Sequence, residues 1–333
     1  MPDADDMTLD SDIAEWMVQV TPHEDAVTIE QAREQARETN AKALDSLDPA
    51  LTPASEEDTE IPADGDAPAI AIRVLRPAGE PGGTEVDPSP MPTVVYFHGG
   101  GWIIGDLDTH LGHARRICSQ VRAVVVSVAY RRAPEHRFPT AFDDALRAAN
   151  WVGERLPDFG GTDTLVLAGD SAGGQLAASV ALARRDAGLP VAAQLLLYPV
   201  TDVAGRYQDA EINDGYMSRR SVYQRFGLTL ETMATFAQAY VDEADAADWR
   251  VSPKRCADLT GVAPAVIHTS TLDVLRTEAN FYADDLRAAG VEVVTQEFPS
   301  LNHSYFGLGG VSAVADSAAA QAAADLNELL GRE

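Results

Sequence analysis

Two short stretches carry groups suited to one reaction. The first is His98-Gly99-Gly100-Gly101, directly behind the apolar run Thr93 to Phe97. Consecutive glycines leave backbone N–H groups uncovered, and such groups can face a developing oxyanion. The second is Gly169-Asp170-Ser171-Ala172-Gly173, behind another apolar run, Thr164 to Ala168. It is a G-x-S-x-G pattern, the sharp strand-to-helix turn that lifts a serine hydroxyl onto a sheet edge. Acyl transfer through a serine needs both halves, an activated hydroxyl and a cradle for negative charge on the attacked carbonyl oxygen.

A serine hydroxyl is a poor nucleophile at neutral pH. Ser171 therefore calls for a base within hydrogen-bond reach and a carboxylate that holds this base in the useful tautomer. Behind a turn of this kind the three groups occur along the chain in the order serine, carboxylate, histidine. Of seven histidines, His23, His98, His110, His113 and His136 precede the serine, which leaves His268 and His303. His268 is embedded in the apolar run Ala265 to Thr269, the setting of a hydrogen-bonded core imidazole. His303 follows the last strand-like run, in Ser300-Leu301-Asn302-His303-Ser304, and is the expected base. Asp273, just past Ile267 to Thr271 and ahead of a helical stretch, is the expected carboxylate. Asp202, after the run ending at Tyr198, is its rival, and Glu278 stands third because it lies within a helix. The expected oxyanion donors are the N–H groups of Gly100, Gly101 and Ala172, the last being the residue after the serine. The positive end of the helix that starts there favours an anion nearby.

These groups need a scaffold. Ile70, Ile72 and Val74 alternate as in a half-exposed strand, and continuous apolar runs follow at 93–97, 123–128, 164–168, 192–198, 265–268 and 291–297. Runs of that kind are strands covered on both faces, as in a parallel sheet. Helical stretches separate them near 109–121, 140–156, 172–187 and 277–289, and an Ala-rich helix closes the chain at about 313–330. The fold class is α/β, a mostly parallel central sheet flanked by helices. Two further helices precede it. Ile13, Trp16, Met17 and Val20 share one helical face, and Thr28 with Gln31 has capping-box spacing for a helix to about Leu47. Pro49, Pro53 and the acidic stretch Glu56 to Glu60 read as a linker, and Pro77 to Pro92 as a long surface loop. Residues 203–250 show helical signals, including Met233, Phe236, Ala237 and Tyr240, but no strand. An insertion at the carboxyl end of a strand is placed to cover a site. The resulting organisation is 1–55 as N-terminal helices of a cap, 56–202 with 251–333 as one catalytic domain, and 203–250 as the cap insertion.

Composition narrows the partners. At 333 residues and 45% hydrophobic, the chain can bury a large core. Its formal charge of −27 comes from 52 acidic residues against 25 basic ones, of which only Lys42 and Lys254 are lysines. Nucleic acid is thereby excluded as a natural partner. Self-repulsion on this scale opposes compactness at low ionic strength and is screened at high salt, so the composition predicts a high-salt cytoplasm. Cys118 and Cys256 are too few and too scattered for a disulfide framework or a thiolate metal site, and are expected as buried free thiols. Met1 to Asp10 has no basic region followed by an apolar one, and no run approaches the roughly 18 apolar residues of a membrane span. A cytoplasmic protein without stable membrane insertion is the expectation.

The chain resembles the hormone-sensitive-lipase-like carboxylesterases of the α/β-hydrolase superfamily. The resemblance spans about residues 90–310 and rests on several stretches in order: Tyr96-Phe97-His98-Gly99-Gly100-Gly101-Trp102, Gly105-Asp106, Tyr130-Arg131 with Ala133-Pro134-Glu135-His136, Gly169 to Gly174, Asp273 with Leu275-Arg276, and His303. It implies the α/β-hydrolase fold with a helical cap, a Ser171, Asp273 and His303 triad, no cofactor or metal, and hydrolysis of small esters with short to medium acyl chains. Homodimers are common in the family, and His98, Arg131 and Glu135 are implied to be structural. The same machinery would serve an amidase, thioesterase or deacetylase, and a non-catalytic ligand-binding member of the fold is the other alternative. Departures from the family pattern are Val274 for Pro, Thr277 for Asp, Gln175 for Asn, and Ser304-Tyr305 for Gly-Phe. None removes a reacting group.

Overall fold

In the computed structural model, which describes residues 7–20, 28–80, 82–89 and 91–332, the apolar runs become neighbours in one sheet. The strands are β1 (Ser55–Ile61), β2 (Ile70–Arg76), β3 (Met91–Phe97), β4 (Val124–Val128), β5 (Gly161–Asp170), β6 (Ala193–Leu197), β7 (Ala265–Leu272) and β8 (Val293–Asn302). They lie in the order β1-β2-β4-β3-β5-β6-β7-β8. From β4 to β8 all neighbours are parallel, whereas β2 runs antiparallel to both β4 and β1. Every residue of β3 and β4 is buried. The cause is a helical layer on each face.

On one face, α3 (Leu111–Val121) and α9 (Ala313–Leu329) cover the sheet, and Ile117, Ala319 and Leu326 pack with Val94, Tyr96 and Val125. On the other, α4 (Thr140–Gly153), α5 (Ala172–Asp186) and α8 (Arg276–Ala288) do so, and Ala145, Leu176 and Tyr282 pack with Val95, Phe97 and Val126. Successive residues of β3 thus alternate between two cores, as the pleat of a strand requires. Among the described residues, no helix is long and apolar enough to cross a membrane.

Two expectations need correction. Glu56 to Glu60 is no linker but the body of β1, paired with β2 from Ser55↔Arg76 to Ile61↔Ile70. The segment reads as unstructured because only Ile61 is buried. An edge strand is held by backbone pairing, and here its acidic side chains meet Arg73, Arg76 and Arg115 across the surface. The thiols also differ from expectation: Cys118 is buried, but Cys256 is only half-buried. Cys256 lies in the loop ahead of β7, where its Sγ meets the Asp258 carbonyl at 3.2 Å.

Ahead of the sheet stand α1 (Ser11–Val20) and α2 (Ile29–Asp45). Only Ile13 of the α1 stripe is fully buried. The start of α2 carries the full capping box, with Thr28 Oγ1 accepting from Gln31 N–H and Gln31 Oε1 accepting from Thr28 N–H. Between β6 and β7 the described chain has no strand, only α6 (Ala210–Asp214), α7 (Leu230–Tyr240) and short 3-10 segments.

This insertion is tied to the sheet by a buried ionic network. Arg219 pairs with Glu278 of α8, with both side chains almost fully excluded from solvent. The Arg219 guanidinium also stacks over Tyr207 and Tyr216, at 4.5 and 4.2 Å from the ring centroids. Glu278 accepts as well from Thr201 N–H at 2.8 Å and the Tyr207 hydroxyl at 3.2 Å. Removing one member leaves the other as an uncompensated buried charge. Arg219→Met is therefore expected to lower unfolding stability by about 3–5 kcal/mol, read as a shift of the urea midpoint. A change within a few tenths of a kcal/mol would refute the network's role.

Candidate active site

The loops that carry the expected reacting groups all leave the sheet at the carboxyl ends of parallel strands, where α/β sheets bind ligands. Register brings them together. Phe97 of β3 pairs with Gly169 of β5, so the glycine loop and the serine turn emerge side by side. Leu272 of β7 pairs with Asn302 of β8 beyond a register shift after Ser270, and the next residue on each strand is Asp273 and His303.

Ser171 sits between β5 and α5 at φ +53° and ψ −118°. A non-glycine residue held there stores about 1–3 kcal/mol of strain. The turn closes only because its flanks are bare: a Cβ on Gly173 would collide with the carbonyl oxygen of Phe97. The Ser171 hydroxyl lies 2.9 Å from His303 Nε2, and His303 Nδ1 lies 2.7 Å from Asp273 Oδ2. A carboxylate only accepts, so the proton sits on Nδ1 and the Nε2 lone pair faces the serine. The second Asp273 oxygen accepts from Leu275 N–H at 2.9 Å. Tyr198 packs edge-on against the His303 ring with centroids 4.8 Å apart.

The rival carboxylates are engaged elsewhere. Asp202 accepts from Arg255 at 2.7 and 3.0 Å and from the Tyr216 hydroxyl. Glu278 belongs to the Arg219 network, where burial pushes its carboxyl up against the pull of the guanidinium. His268 bonds Asp325 at 2.8 Å inside the core. His136 is exposed, and His23 lies outside the described residues.

Gly100 and Gly101 take φ of +98° and +59°, conformations that favour glycine. A side chain at Gly101 would also strike the ring of Phe236. Among the described residues no hydrogen bond uses the N–H of Gly100 or Gly101. Ala172 is the first residue of α5, so its N–H has no intrahelical acceptor. Three amide donors are thus free beside the hydroxyl.

Asp170 locks the two loops together. Its Oδ1 accepts from Gly99 N–H at 2.8 Å and the Tyr96 hydroxyl at 2.6 Å. Burial pushes this carboxyl up, yet His110, His113 and Tyr96 outweigh that and hold it well below the usual carboxylate range. His98 supports the loop from behind, with Nδ1 donating to the Gly99 carbonyl at 2.9 Å and the ring stacked on Tyr130. Burial pushes its imidazole down to about 3, so it is neutral at neutral pH. Trp102 Nε1 donates to Gln175 Oε1 at 2.9 Å, which gives the Gln175 departure a place in the support of this loop. Ser304 holds φ +66°. That left-handed backbone accounts for the glycine usual at this position in the family.

Above the serine lies a cavity of about 390 Å³. Ala36 and Asn40 of α2 and Met233 and Phe236 of α7 line its roof. Arg33 and Arg37 hold α2 over the glycine loop, the first on the Ile103 carbonyl and bidentate on Glu135, the second on Asp106. Arg131 is likewise committed, to Asp144. Sequence reasoning passed over His110 and His113, which lie on the cavity wall beside Asp170. Their i, i+3 spacing on a helix was the available signal.

A profile described as the α/β-hydrolase fold matches residues 94–307. Carboxylesterase NlhH of Mycobacterium tuberculosis is 38% identical over 252 residues, covering 72% of this chain and 74% of that protein. An ethyl acetate hydrolase of Pseudomonas putida is 33% identical over 261 residues, or 75% and 76% of the two chains. Among solved structures, a hyperthermophilic esterase from the archaeon Pyrobaculum calidifontis superposes with a TM-score of 0.83 at 32% identity, over 97% of this chain and 99% of that one.

Proposed function

Since the chain belongs to the hormone-sensitive-lipase-like carboxylesterases of the α/β-hydrolase superfamily and is a serine carboxylester hydrolase, we propose that Ser171, His303 and Asp273 are its catalytic triad. Gly100, Gly101 and Ala172 then supply the oxyanion donors. The observation that carries this reading is the hydrogen-bond chain from hydroxyl to imidazole to carboxylate, 2.9 and 2.7 Å long, beside three free amide groups.

In this mechanism His303 Nε2 takes the Ser171 proton as Oγ attacks the ester carbonyl, and the amides hold the oxyanion. Collapse of the tetrahedral species expels the alcohol, protonated by His303, and leaves an acyl-enzyme. His303 then deprotonates a water that releases the acid and regenerates the serine, while Asp273 stabilises the imidazolium throughout.

The preferred substrates are esters of short to medium acyl chains. A cavity of about 390 Å³, narrowed by Phe236 at Gly101, supports a compact acyl group, and the ethyl acetate hydrolase among the relatives points the same way. The helices α1 and α2 with residues 203–250 act as the cap, since both α2 and α7 contribute to the cavity wall. The charge of −27 with only two lysines suits a high-salt cytoplasm.

One experiment tests both the acyl-chain preference and the adaptation to salt: hydrolysis of p-nitrophenyl acetate, butyrate and decanoate, with an anilide and a thioester alongside, from about 0.1 to about 3 M KCl. Acetate and butyrate should be fastest, with rate and far-UV circular dichroism rising with salt. Preference for decanoate, the anilide or the thioester would overturn the substrate assignment. Full structure and rate in dilute buffer would overturn the adaptation to salt.

A further inference from the structure

His110, His113 and Asp170 meet on the cavity wall, and hydrolysis as derived above employs neither histidine. One donor atom from each lies within 4.8 Å of the other two, and all three residues are buried. The two imidazoles come from the start of α3, three residues apart and hence on one face. Asp170 arrives from the end of β5.

The Thr109 hydroxyl accepts from Asp106 N–H at 2.8 Å and lies 2.8 Å from His110 Nδ1, which anchors that ring from behind. His110 Nε2 faces Asp170 Oδ2 across 3.5 Å. An imidazole nitrogen and a carboxylate oxygen at that separation can share one cation between them. We propose that His110, His113 and Asp170 bind a divalent first-row transition metal ion, zinc being the reference case, with an open coordination position toward the cavity beside Ser171.

The donor set fits. Two imidazoles and one carboxylate suit zinc and its neighbours in the first row, and three protein ligands leave a fourth position for water. With metal–ligand bonds of about 2.0–2.1 Å, tetrahedral ligands stand roughly 3.4 Å apart. His110 and Asp170 already have that separation, and His113, within 4.8 Å of both, must close by at most about 1.4 Å. Only a long contact of 3.5 Å to the Tyr198 hydroxyl engages the His113 ring nitrogens among the described residues. Thr109 on Nδ1 fixes the His110 ring from behind, as outer partners of metal-bound histidines do. Because Asp170 also holds Gly99 N–H, an ion on its other oxygen sits against both catalytic loops and in the path of substrate. Occupancy therefore lowers turnover. That last effect rests on the proposed triad, whereas the binding does not.

The test uses the full chain, stripped of metal with a chelator and then titrated with ZnCl2 by calorimetry. About 1 M KCl and excess MgCl2 keep the surface carboxylates screened and occupied. The expected result is one zinc per chain, weakened at least about tenfold in His113→Gln and in His110→Gln, each checked for folding by circular dichroism. Cobalt(II) should give the intense visible absorption of a four-coordinate ion in the parent and not in the variants. Zinc should slow ester hydrolysis by the parent, and slow the variants, each relative to its own metal-free rate, far less. Zinc binding equal in parent and variants, or none under these conditions, overturns the site. Site-dependent binding with turnover unaffected retains the site and overturns its inhibitory role.

Discussion

Ser171→Ala is expected to lower kcat by about 10⁴- to 10⁶-fold while leaving the fold intact. The substitution deletes only Oγ, the atom 2.9 Å from His303 Nε2. Glycines flanking the turn, the pairing of β5 with β6 and the buried face of α5 all remain. Residual rate over water should come from the amides of Gly100, Gly101 and Ala172, which can still polarise a bound carbonyl. Steady-state hydrolysis of p-nitrophenyl butyrate, with circular dichroism as the control for folding, checks this. The parent should also show a burst of p-nitrophenol equal to one acyl group per chain, and the variant none. A variant that kept most of its turnover would remove Ser171 from the chemistry.

Asp273→Asn has the second largest expected effect, about 10⁴-fold in kcat with little loss of stability. The carboxamide oxygen of the variant can keep the Leu275 N–H, which lies 2.9 Å from the carboxylate in the parent. The carboxamide nitrogen then faces His303 Nδ1 and donates to it. The imidazole is driven into the other tautomer, with the proton on Nε2, and can no longer receive one from Ser171. Asp202→Asn and Glu278→Gln provide the contrast. Both carboxylates serve the Arg219 and Arg255 network, so these changes should appear as lost stability rather than as a comparable loss of kcat. A larger kcat effect at Asp202 than at Asp273 would transfer the role to Asp202.

Much of the fold is legible because its causes are local. A strand covered on both faces must be apolar throughout, so the runs around Val94, Val125, Val166 and Leu195 stand out from the amphipathic helices between them. The capping box at Thr28 is a matter of two side chains and one turn, and it forms as the spacing indicates. The edge strand β1 was hidden for the converse reason. Its hydrogen bonds are formed by backbone atoms that have no signature in side-chain type, and its side chains face water. Cys256 likewise carries no local signal of its partial exposure in the loop before β7.

By itself the chain determined which groups could react and on which turns they stand, because a strained strand-to-helix turn, bare amides and a histidine behind the last strand are each specified by a few adjacent residues. Only the tertiary structure decided which carboxylate faces His303. That choice depends on a register shift after Ser270 that sets Leu272 opposite Asn302, and on Arg255 and the insertion's Arg219, which claim Asp202 and Glu278. Tertiary structure also set His110 and His113 against Asp170 beside the serine. Side chains this far apart along the chain are joined by sheet pairing and packing, which are properties of the whole molecule and have no trace in the spacing of any one segment.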